Sequence, residues 1–229
     1  EIKNLKSKYS VSEIKHMSME ENEDEASKVI APERTKAVPR FRKGVDEEVK
    51  GTLRGTAYHR FFEILNYDCC KDYNSIEEYL KASVAAGKIS EEYAGLINLK
   101  RFEEFLQTDL GKRMGSAYKK GLLFREQPFI MELGADMIDK EYPSDEKILV
   151  QGIVDAFFFE DDKVYIVDYK TDRVEQGKAG EKALVERYHK QLELYADTIS
   201  RVTGKETGGC YIYSTCLKKE ILIESPSYT

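Results

Sequence analysis

The stretch IVDYKTD, residues 166–172, combines residue types that can do chemistry, because an apolar run ends in Asp168 and Lys170. An earlier apolar segment, 148–160, carries a further carboxylate, Asp155. Two carboxylates can bind a hard divalent cation such as Mg²⁺ or Mn²⁺, which prefers oxygen ligands. Such a cation polarises a phosphoryl oxygen and activates water for attack. The residue types therefore favour phosphodiester hydrolysis, with the lysine adding positive charge beside the carboxylates.

Two predicted strands must position these carboxylates. Only Asp161 and Asp162 separate the strands, which predicts an antiparallel hairpin with a tight turn. In that register Asp155 lies directly opposite Asp168, and Lys170 shares their sheet face. Like charges directly opposite each other are destabilising, and a bound cation would compensate. The alternative is that Asp155 lies at a bulge or an exposed edge and pairs only with Lys170, and a longer loop would also change the register.

Several segments together resemble one nuclease family. An aspartate on one strand followed by Asp168-Tyr169-Lys170 on the next resembles the signature of the PD-(D/E)XK nucleases. The order of further segments is similar to the RecB-type branch, and most of all to the C-terminal nuclease domains of the AddA helicase–nuclease subunits. These segments are GTAYHRFFEIL (55–65), REQPF (125–129), GIVDAFF (152–158) and YHKQLELYA (188–196).

The resemblance implies a set of metal ligands and a catalytic lysine. The family's ligands fall on His59, Asp155 and Asp168, with the backbone carbonyl of Tyr169 as a further oxygen ligand. Lys170 matches the lysine that orients the attacking water and stabilises charge on the phosphate. The implied cofactor is Mg²⁺, with Mn²⁺ as a substitute.

Three further residues match the family pattern. Gln191 and Tyr195 match its QxxxY element, and their i,i+4 spacing places them on one helix face, which suits contacts to a DNA backbone or support of the lysine. Glu126 matches a recurrent acid on the first strand, and we expect it to support the ligands. Each residue has an alternative interpretation: His59 as a packed or capping residue, Tyr195 as core, and Gln191 as a solvated helix position.

The four cysteines bear on a second cofactor. Related nucleases carry an iron–sulfur cluster on four cysteines, one upstream and three downstream. Here Cys210 and Cys216 have no preceding C-x-x-C partner, and Cys69 and Cys70 are adjacent. We therefore expect no iron–sulfur cluster and reduced thiols.

The predicted architecture is an α/β fold with a restriction-endonuclease-like core, in which helices flank a mixed sheet. Residues 1–54 are predicted to form an N-terminal helix and a polar linker, with an acidic run at 21–25 and basic residues around two prolines at 34–43. Residues 55–229 are predicted to form the nuclease domain, with a helical insertion at about 67–117. A helix is predicted to begin at Gly55, because apolar residues recur at helical spacing in GTAYHRFFEIL. The further elements are predicted as helices over 75–86, 90–107 with Ser90 as its cap, 108–117 and 180–202, and as strands over 122–133, 210–215 and 220–225.

Composition limits the cellular setting. The chain has 229 residues, of which 41% are hydrophobic, and this composition is typical of a globular protein. Its net charge of −6 means that no overall positive charge indicates a nucleic-acid partner. It contains neither a membrane-spanning apolar run nor a signal-peptide pattern, and we expect a cytoplasmic protein without a membrane partner. The chain begins with Glu1 rather than methionine, and we expect a larger parent protein.

The function implied by the resemblance is that of a Mg²⁺-dependent deoxyribonuclease. It would cleave single-stranded DNA, as an exonuclease or endonuclease, within a helicase–nuclease that acts in double-strand-break repair. The implied partners are DNA, an upstream helicase domain of the same parent chain and an AddB-like subunit. Two alternatives remain: a catalytically inactive DNA-binding or scaffold module of the same fold, which should lack a ligand or the lysine, and a free-standing exonuclease.

Overall fold

The computed structural model of the chain describes four stretches of the sequence, which are residues 8–11, 13–14, 43–137 and 145–223. The acidic run at 21–25 and the linker residues 34–42 lie outside these stretches. The chain divides into two compact units, each made of two segments. They are Glu1–Asp46 with Pro128–Ile153, and Glu47–Gln127 with Val154–Thr229.

The described residues form both helices and strands, as an α/β fold requires. In chain order they are β1 (Lys8–Ser10), α1 (Lys43–Ile64), α2 (Tyr73–Ala85), α3 (Glu91–Leu96), α4 (Leu99–Gln107), α5 (Asp109–Lys119), β2 (Leu123–Gly134), a 3₁₀ turn (Ala135–Met137), β3 (Lys147–Glu160), β4 (Lys163–Lys170), α6 (Lys178–Thr203), β5 (Thr207–Ser214) and β6 (Lys219–Ile223). Helices α2 to α5 occupy the segment predicted as a helical insertion.

The sheet of the larger unit is mixed, as predicted. Its strand order is β3-β4-β5-β6, in which β4 and β5 are parallel and the two outer pairs are antiparallel. In the smaller unit, β1 pairs in parallel with the beginning of β3 through Tyr9 and Val150. Strand β2 also pairs with β3. A parallel pair needs a long crossover, and here helix α6 connects β4 to β5.

The predicted register of the β3–β4 hairpin is confirmed. Phe157 pairs with Ile166, and the observed pairs continue to the end of the hairpin. The turn residues Asp161 and Asp162 have φ angles of 47° and 63°. Two successive positive φ angles are those of a two-residue type I′ turn, whose twist matches that of the strands. This turn fixes which residues of β3 and β4 lie opposite each other.

Helices cover the sheet of the larger unit, and their apolar side chains form its core. The core cluster includes Phe62 of α1, Tyr169 of β4 and Phe105 of α4, all buried. Phe62 and Tyr169 stack with their ring centroids 3.9 Å apart, which fixes the end of β4 against the helix that carries His59. In the described part of the chain no helix is both long and apolar enough to cross a bilayer.

Two predicted helix boundaries were wrong. Helix α1 begins at Lys43 rather than at Gly55, since acidic residues follow its start and favour a helix N-terminus, whereas the prediction relied on apolar spacing alone. The helix predicted over 90–107 is two helices, because Ile97 is extended and the Asn98 side chain caps the next helix. The predicted cap at Ser90 is confirmed, because its side chain accepts a hydrogen bond from the Tyr93 amide.

Candidate metal centre and active site

Asp155 lies on β3, next to the last observed hairpin pair, Ala156 with Val167. Its Oδ2 accepts a hydrogen bond from the backbone amide of Tyr169 at 2.9 Å and lies 3.3 Å from Nδ1 of His59. The carboxylate therefore joins the ends of two strands to helix α1. The Tyr169 amide and His59 thus hold Asp155 Oδ2 from two sides. Hydrogen bonds of this kind orient the side chains that bind a metal ion.

Asp168 is fully buried and faces helix α6 and Lys170. Its Oδ1 accepts a hydrogen bond from Nε2 of Gln191 at 3.2 Å, and the same amide donates to the hydroxyl of Tyr195 at 2.9 Å. Lys170 Nζ lies 2.7 Å from Asp168 Oδ2. This oxygen has the ammonium as an ion-pair partner, but no donor among the described residues meets it in hydrogen-bond geometry. Because a carboxylate oxygen has two lone pairs, Asp168 Oδ2 can bind a cation beside the ammonium.

The electrostatics of His59 and Asp155 reflect their contact. Burial lowers the pKa of His59, but its hydrogen bond to Asp155 and the negative charges of Asp155 and Asp168 outweigh burial and leave that pKa raised. Burial raises the pKa of Asp155, yet His59, Lys170 and the Tyr169 amide together hold that pKa below its usual value. Because a metal ligand must be deprotonated, a cation competes with a proton for His59, and its affinity rises with pH.

Glu126 belongs to the same group of side chains. Ligand atoms of His59, Glu126 and Asp155 all lie within 4.8 Å of one another. Glu126 has a φ of 48° in the middle of strand β2, and such an irregularity redirects a side chain out of the strand's alternation. Burial, followed by the charge of Asp155, raises its pKa to about 7. The sequence predicts that Glu126 supports the ligands, and the structure brings its carboxylate close enough to His59 and Asp155 for it to be a ligand itself.

Sequence reasoning missed a cluster that surrounds Lys170. Nζ of Lys170 lies 4.1 Å from the ring centroid of Tyr188. The Tyr188 hydroxyl donates to Asp172 Oδ1 at 2.8 Å, and Arg187 donates to the same oxygen at 2.7 Å. Tyr188 precedes Gln191 by three residues and therefore shares its helix face, which is the signal that could have identified it.

Comparisons with known proteins identify the family of this chain. Residues 34–225 match the PD-(D/E)XK nuclease superfamily. The chain belongs to this superfamily. Its relatives include three proteins that are named as ATP-dependent helicase/nuclease subunits. The one from Clostridium perfringens strain SM101 is 34% identical over 96% of this chain and 18% of its own length. Those from Thermoanaerobacter strain X514 and Lachnoclostridium phytofermentans are 36% and 31% identical, over 91% and 88% of this chain. This chain spans less than a fifth of the length of these relatives.

The side chains at this site fit the divalent metal that PD-(D/E)XK nucleases generally use. The donor set consists of carboxylate oxygens and one imidazole, which are common ligands of divalent metal ions. The Lys170 ammonium lies 2.7 Å from the buried Asp168 Oδ2, and no other donor among the described residues bonds to this oxygen. Burial together with the charge of Asp155 raises the pKa of Asp168 to about 6, and a bound cation would offset the cost of this buried carboxylate.

The cysteines lie apart from this donor set. All four are free, and the described structure places Cys69 and Cys70 after α1, with their sulfur atoms 3.9 Å apart. Cys210 is buried in β5, and Cys216 follows that strand. The expected lack of an iron–sulfur cluster stays a prediction.

The pH dependence of the free energy of unfolding tests the raised pKa of Glu126. A carboxyl that ionises at about 4.5 when unfolded and about 7 when folded destabilises the fold as pH rises through that interval. With metal removed by chelation, Glu126→Gln should raise the free energy of unfolding at pH 8 by about 1–2 kcal/mol, after allowance for solvent screening. The gain should vanish near pH 4. Urea unfolding at both pH values measures it, and an equal gain at both would contradict the assignment.

Substitutions of Tyr188 test whether its ring positions Lys170. Tyr188→Phe keeps the ring but loses the hydrogen bond to Asp172, and we expect a fall in kcat of about two- to tenfold. Tyr188→Leu also removes the cation–π contact, which should lower kcat further, by about tenfold or more in total. KM should stay unchanged, because Tyr188 acts through the lysine. Steady-state kinetics on labelled DNA measure both constants, and a raised KM with unchanged kcat would assign Tyr188 to substrate binding instead.

Proposed function

We propose that this chain is the nuclease domain of a helicase–nuclease and that it hydrolyses phosphodiester bonds of single-stranded DNA with Mg²⁺ as its cofactor. Mn²⁺ would substitute for Mg²⁺. The observation that carries the proposal is the ammonium of Lys170, held 2.7 Å from the buried Asp168. This pair lies in the electrostatic field of Asp155 and His59, which act on the pKa of Asp168.

We infer that the metal would be held by His59, Asp155 and Asp168, with the carbonyl of Tyr169 and the newly placed Glu126 as further ligands. When bound, a divalent cation polarises a phosphoryl oxygen and makes water a better nucleophile at neutral pH. Groups of the chain itself hold the proposed ligands in place. The Tyr169 amide fixes the Asp155 carboxylate, and the Tyr169 ring is stacked in the core.

Lys170 supplies charge and orientation at the reacting phosphate. Its side chain is only 12% exposed, and Asp168 and the ring of Tyr188 hold its ammonium in place. A preorganised cation in a site of low dielectric stabilises the negative charge that develops in the transition state. Its N–H groups can also orient the attacking water. Lys170 is therefore the catalytic residue in this proposal.

Gln191 and Tyr195 support that arrangement from helix α6. The Gln191 amide uses one N–H for Asp168 and the other for the hydroxyl of Tyr195. Both donors of the amide are thus engaged, and Tyr195 is buried. We infer that the pair holds the Asp168 carboxylate in a fixed orientation and acts from behind it rather than on the DNA backbone.

The names of the relatives suggest the larger assembly. We infer that an upstream helicase domain delivers a single strand to this domain, that an AddB-like subunit is its partner, and that the assembly acts in double-strand-break repair. An inactive DNA-binding module of the same fold should lack a ligand or the lysine, and this chain keeps all of them. A free-standing exonuclease would cleave without a helicase partner, and co-purification with the partner subunit separates the two cases.

A metal titration against DNA tests the proposed reaction. End-labelled single-stranded and duplex DNA are incubated with the chain at rising Mg²⁺ concentration, with chelator as the blank. We expect Mg²⁺-dependent cleavage of the single strand, faster than that of the duplex, and similar cleavage with Mn²⁺. Undiminished cleavage in chelator would contradict the metal requirement, and binding of DNA without cleavage at any Mg²⁺ concentration would favour the inactive module.

A further inference from the structure

A cavity of about 320 Å³ adjoins the candidate metal centre. His59 and Glu126 line it together with Arg60 from α1, and with Ile89 and Tyr93 from the segment between α2 and α3 and from α3 itself. All of these residues belong to the larger unit of the chain. Two of the proposed metal ligands thus line this cavity. When a phosphate of the DNA strand binds the metal, the nucleoside next to that phosphate would lie in the cavity.

Arg60 and Lys88 form the cationic side of the cavity. Nε of Arg60 donates a hydrogen bond to the carbonyl of Lys88 at 2.8 Å, and its Nη1 forms an ion pair with Glu63. These contacts tie helix α1 to the segment that follows α2. Lys88 also lines the cavity, and among the described residues no carboxylate lies within ion-pair distance of its ammonium. An exposed ammonium without an acidic partner is suited to a phosphate group.

The other side of the cavity suits a flat, weakly polar group. Ile89 is buried and supplies apolar surface, and Tyr93 supplies a partly buried aromatic ring. Aromatic side chains bind unpaired bases of any sequence by stacking, which contributes about 1–3 kcal/mol per base. A volume of about 320 Å³ lies at the lower end of small-molecule sites and is too small for a duplex.

We propose that this cavity is a subsite for one unpaired nucleoside of the DNA strand, next to the phosphate that is cleaved. Its base stacks on Tyr93, and Lys88 and Arg60 contact its phosphate. The proposal rests on the nuclease function proposed above and adds a reason for the preference for single strands. A paired base cannot stack on Tyr93 without leaving its partner.

The test measures binding separately from cleavage. Fluorescence anisotropy gives the Kd of a short labelled oligothymidylate for the whole chain, in Ca²⁺ in place of Mg²⁺ to slow cleavage. Tyr93→Leu keeps the apolar packing of α3 but removes the ring, and should raise Kd by about 5- to 100-fold. Tyr93→Phe should bind within about twofold of wild type, because stacking needs the ring and not the hydroxyl. Tyr73→Leu is the matched control, since Tyr73 is 43% exposed on α2 and lines a different cavity.

The salt dependence of binding adds a second readout. Lys88→Ala should reduce the slope of log K against log salt concentration by about 0.7, which is the value for one phosphate of a single strand. An unchanged slope would remove the phosphate contact from the subsite. An unchanged Kd for Tyr93→Leu, or no binding of the oligomer by wild type, would overturn the proposal.

The two proposals fail in different ways. If Tyr93→Leu weakens binding as expected but wild type does not cleave with Mg²⁺, the subsite stands and the nuclease proposal fails. If wild type cleaves with Mg²⁺ but Tyr93→Leu has the Kd and KM of wild type, the nuclease proposal stands and the subsite fails.

Discussion

Replacement of Lys170 with alanine should lower the rate of Mg²⁺-dependent DNA cleavage by at least about 10²- to 10³-fold, to the limit of detection in an ordinary assay. The substitution removes an ammonium that Asp168 and the ring of Tyr188 hold in place. No other described lysine lies in contact with Asp168. Asp168→Ala should have an effect of the same size, because it removes a proposed metal ligand and releases Lys170.

The control for these substitutions is Lys182→Ala. Lys182 lies on α6 with its side chain 78% exposed, and its Nζ lies 3.5 Å from Oε1 of Glu186. An exposed ion pair of this kind contributes little to stability. Lys182→Ala should cleave DNA at the wild-type rate. Circular dichroism and urea unfolding establish that each variant is folded, since loss of a buried ion pair also changes stability. Cleavage retained in both Asp168→Ala and Lys170→Ala would remove these residues from the active site.

His59→Ala should raise the Kd for Mn²⁺ by about tenfold or more. Isothermal titration calorimetry measures this Kd. The imidazole nitrogen is a ligand that Mn²⁺ accepts, and His59 also contacts the Asp155 carboxylate at 3.3 Å. His59→Ala therefore removes one ligand and loosens a second. The deficit should be larger at pH 8 than at pH 6, because a proton already blocks part of the wild-type histidine at the lower pH.

His189→Ala is the matched control for this measurement. His189 is 43% exposed on helix α6 and lies 3.6 Å from Glu193, and His189→Ala should leave Mn²⁺ affinity at the wild-type value. An equal Mn²⁺ affinity for His59→Ala and wild type would exclude His59 from the ligand set.

The hairpin of the site could be predicted because its geometry is local. Two loop residues between alternating strands fix the register, and the pairing of Phe157 with Ile166 follows from that loop. The register also brings the Asp155 and Asp168 positions together at the end of the ladder. Only the turn type and the alternation of side chains enter this prediction, and the sequence contains both.

The position of Glu126 could not be predicted in the same way. An ordinary strand would place its side chain by simple alternation, but its φ of 48° interrupts that pattern. No glycine or proline occupies the position to indicate an irregularity. The contacts that bring Glu126 to His59 and Asp155 join three elements distant in the chain. Such a conformation depends on tertiary packing, which is not visible in a local pattern.

The contacts of Asp172 could not be predicted for a similar reason. A threonine and an aspartate after a strand are typical turn residues, and sequence alone offers no reason to look further. In the structure Asp172 accepts hydrogen bonds from Arg187 and Tyr188, which follow it on helix α6. The pairing depends on how α6 crosses the end of β4, and this crossing angle has no signature in the residues themselves.

The position of a bound metal ion tests the central claim most directly. Crystals of the chain grown with Mn²⁺ give anomalous diffraction that locates the ion without any assumption about activity. We expect one strong peak in contact with the carboxylates of Asp155 and Asp168, within reach of Lys170, and a loss of that peak in Asp155→Asn. Manganese found only at surface carboxylates, in crystals of protein that cleaves DNA with Mn²⁺, would contradict the assignment of this site.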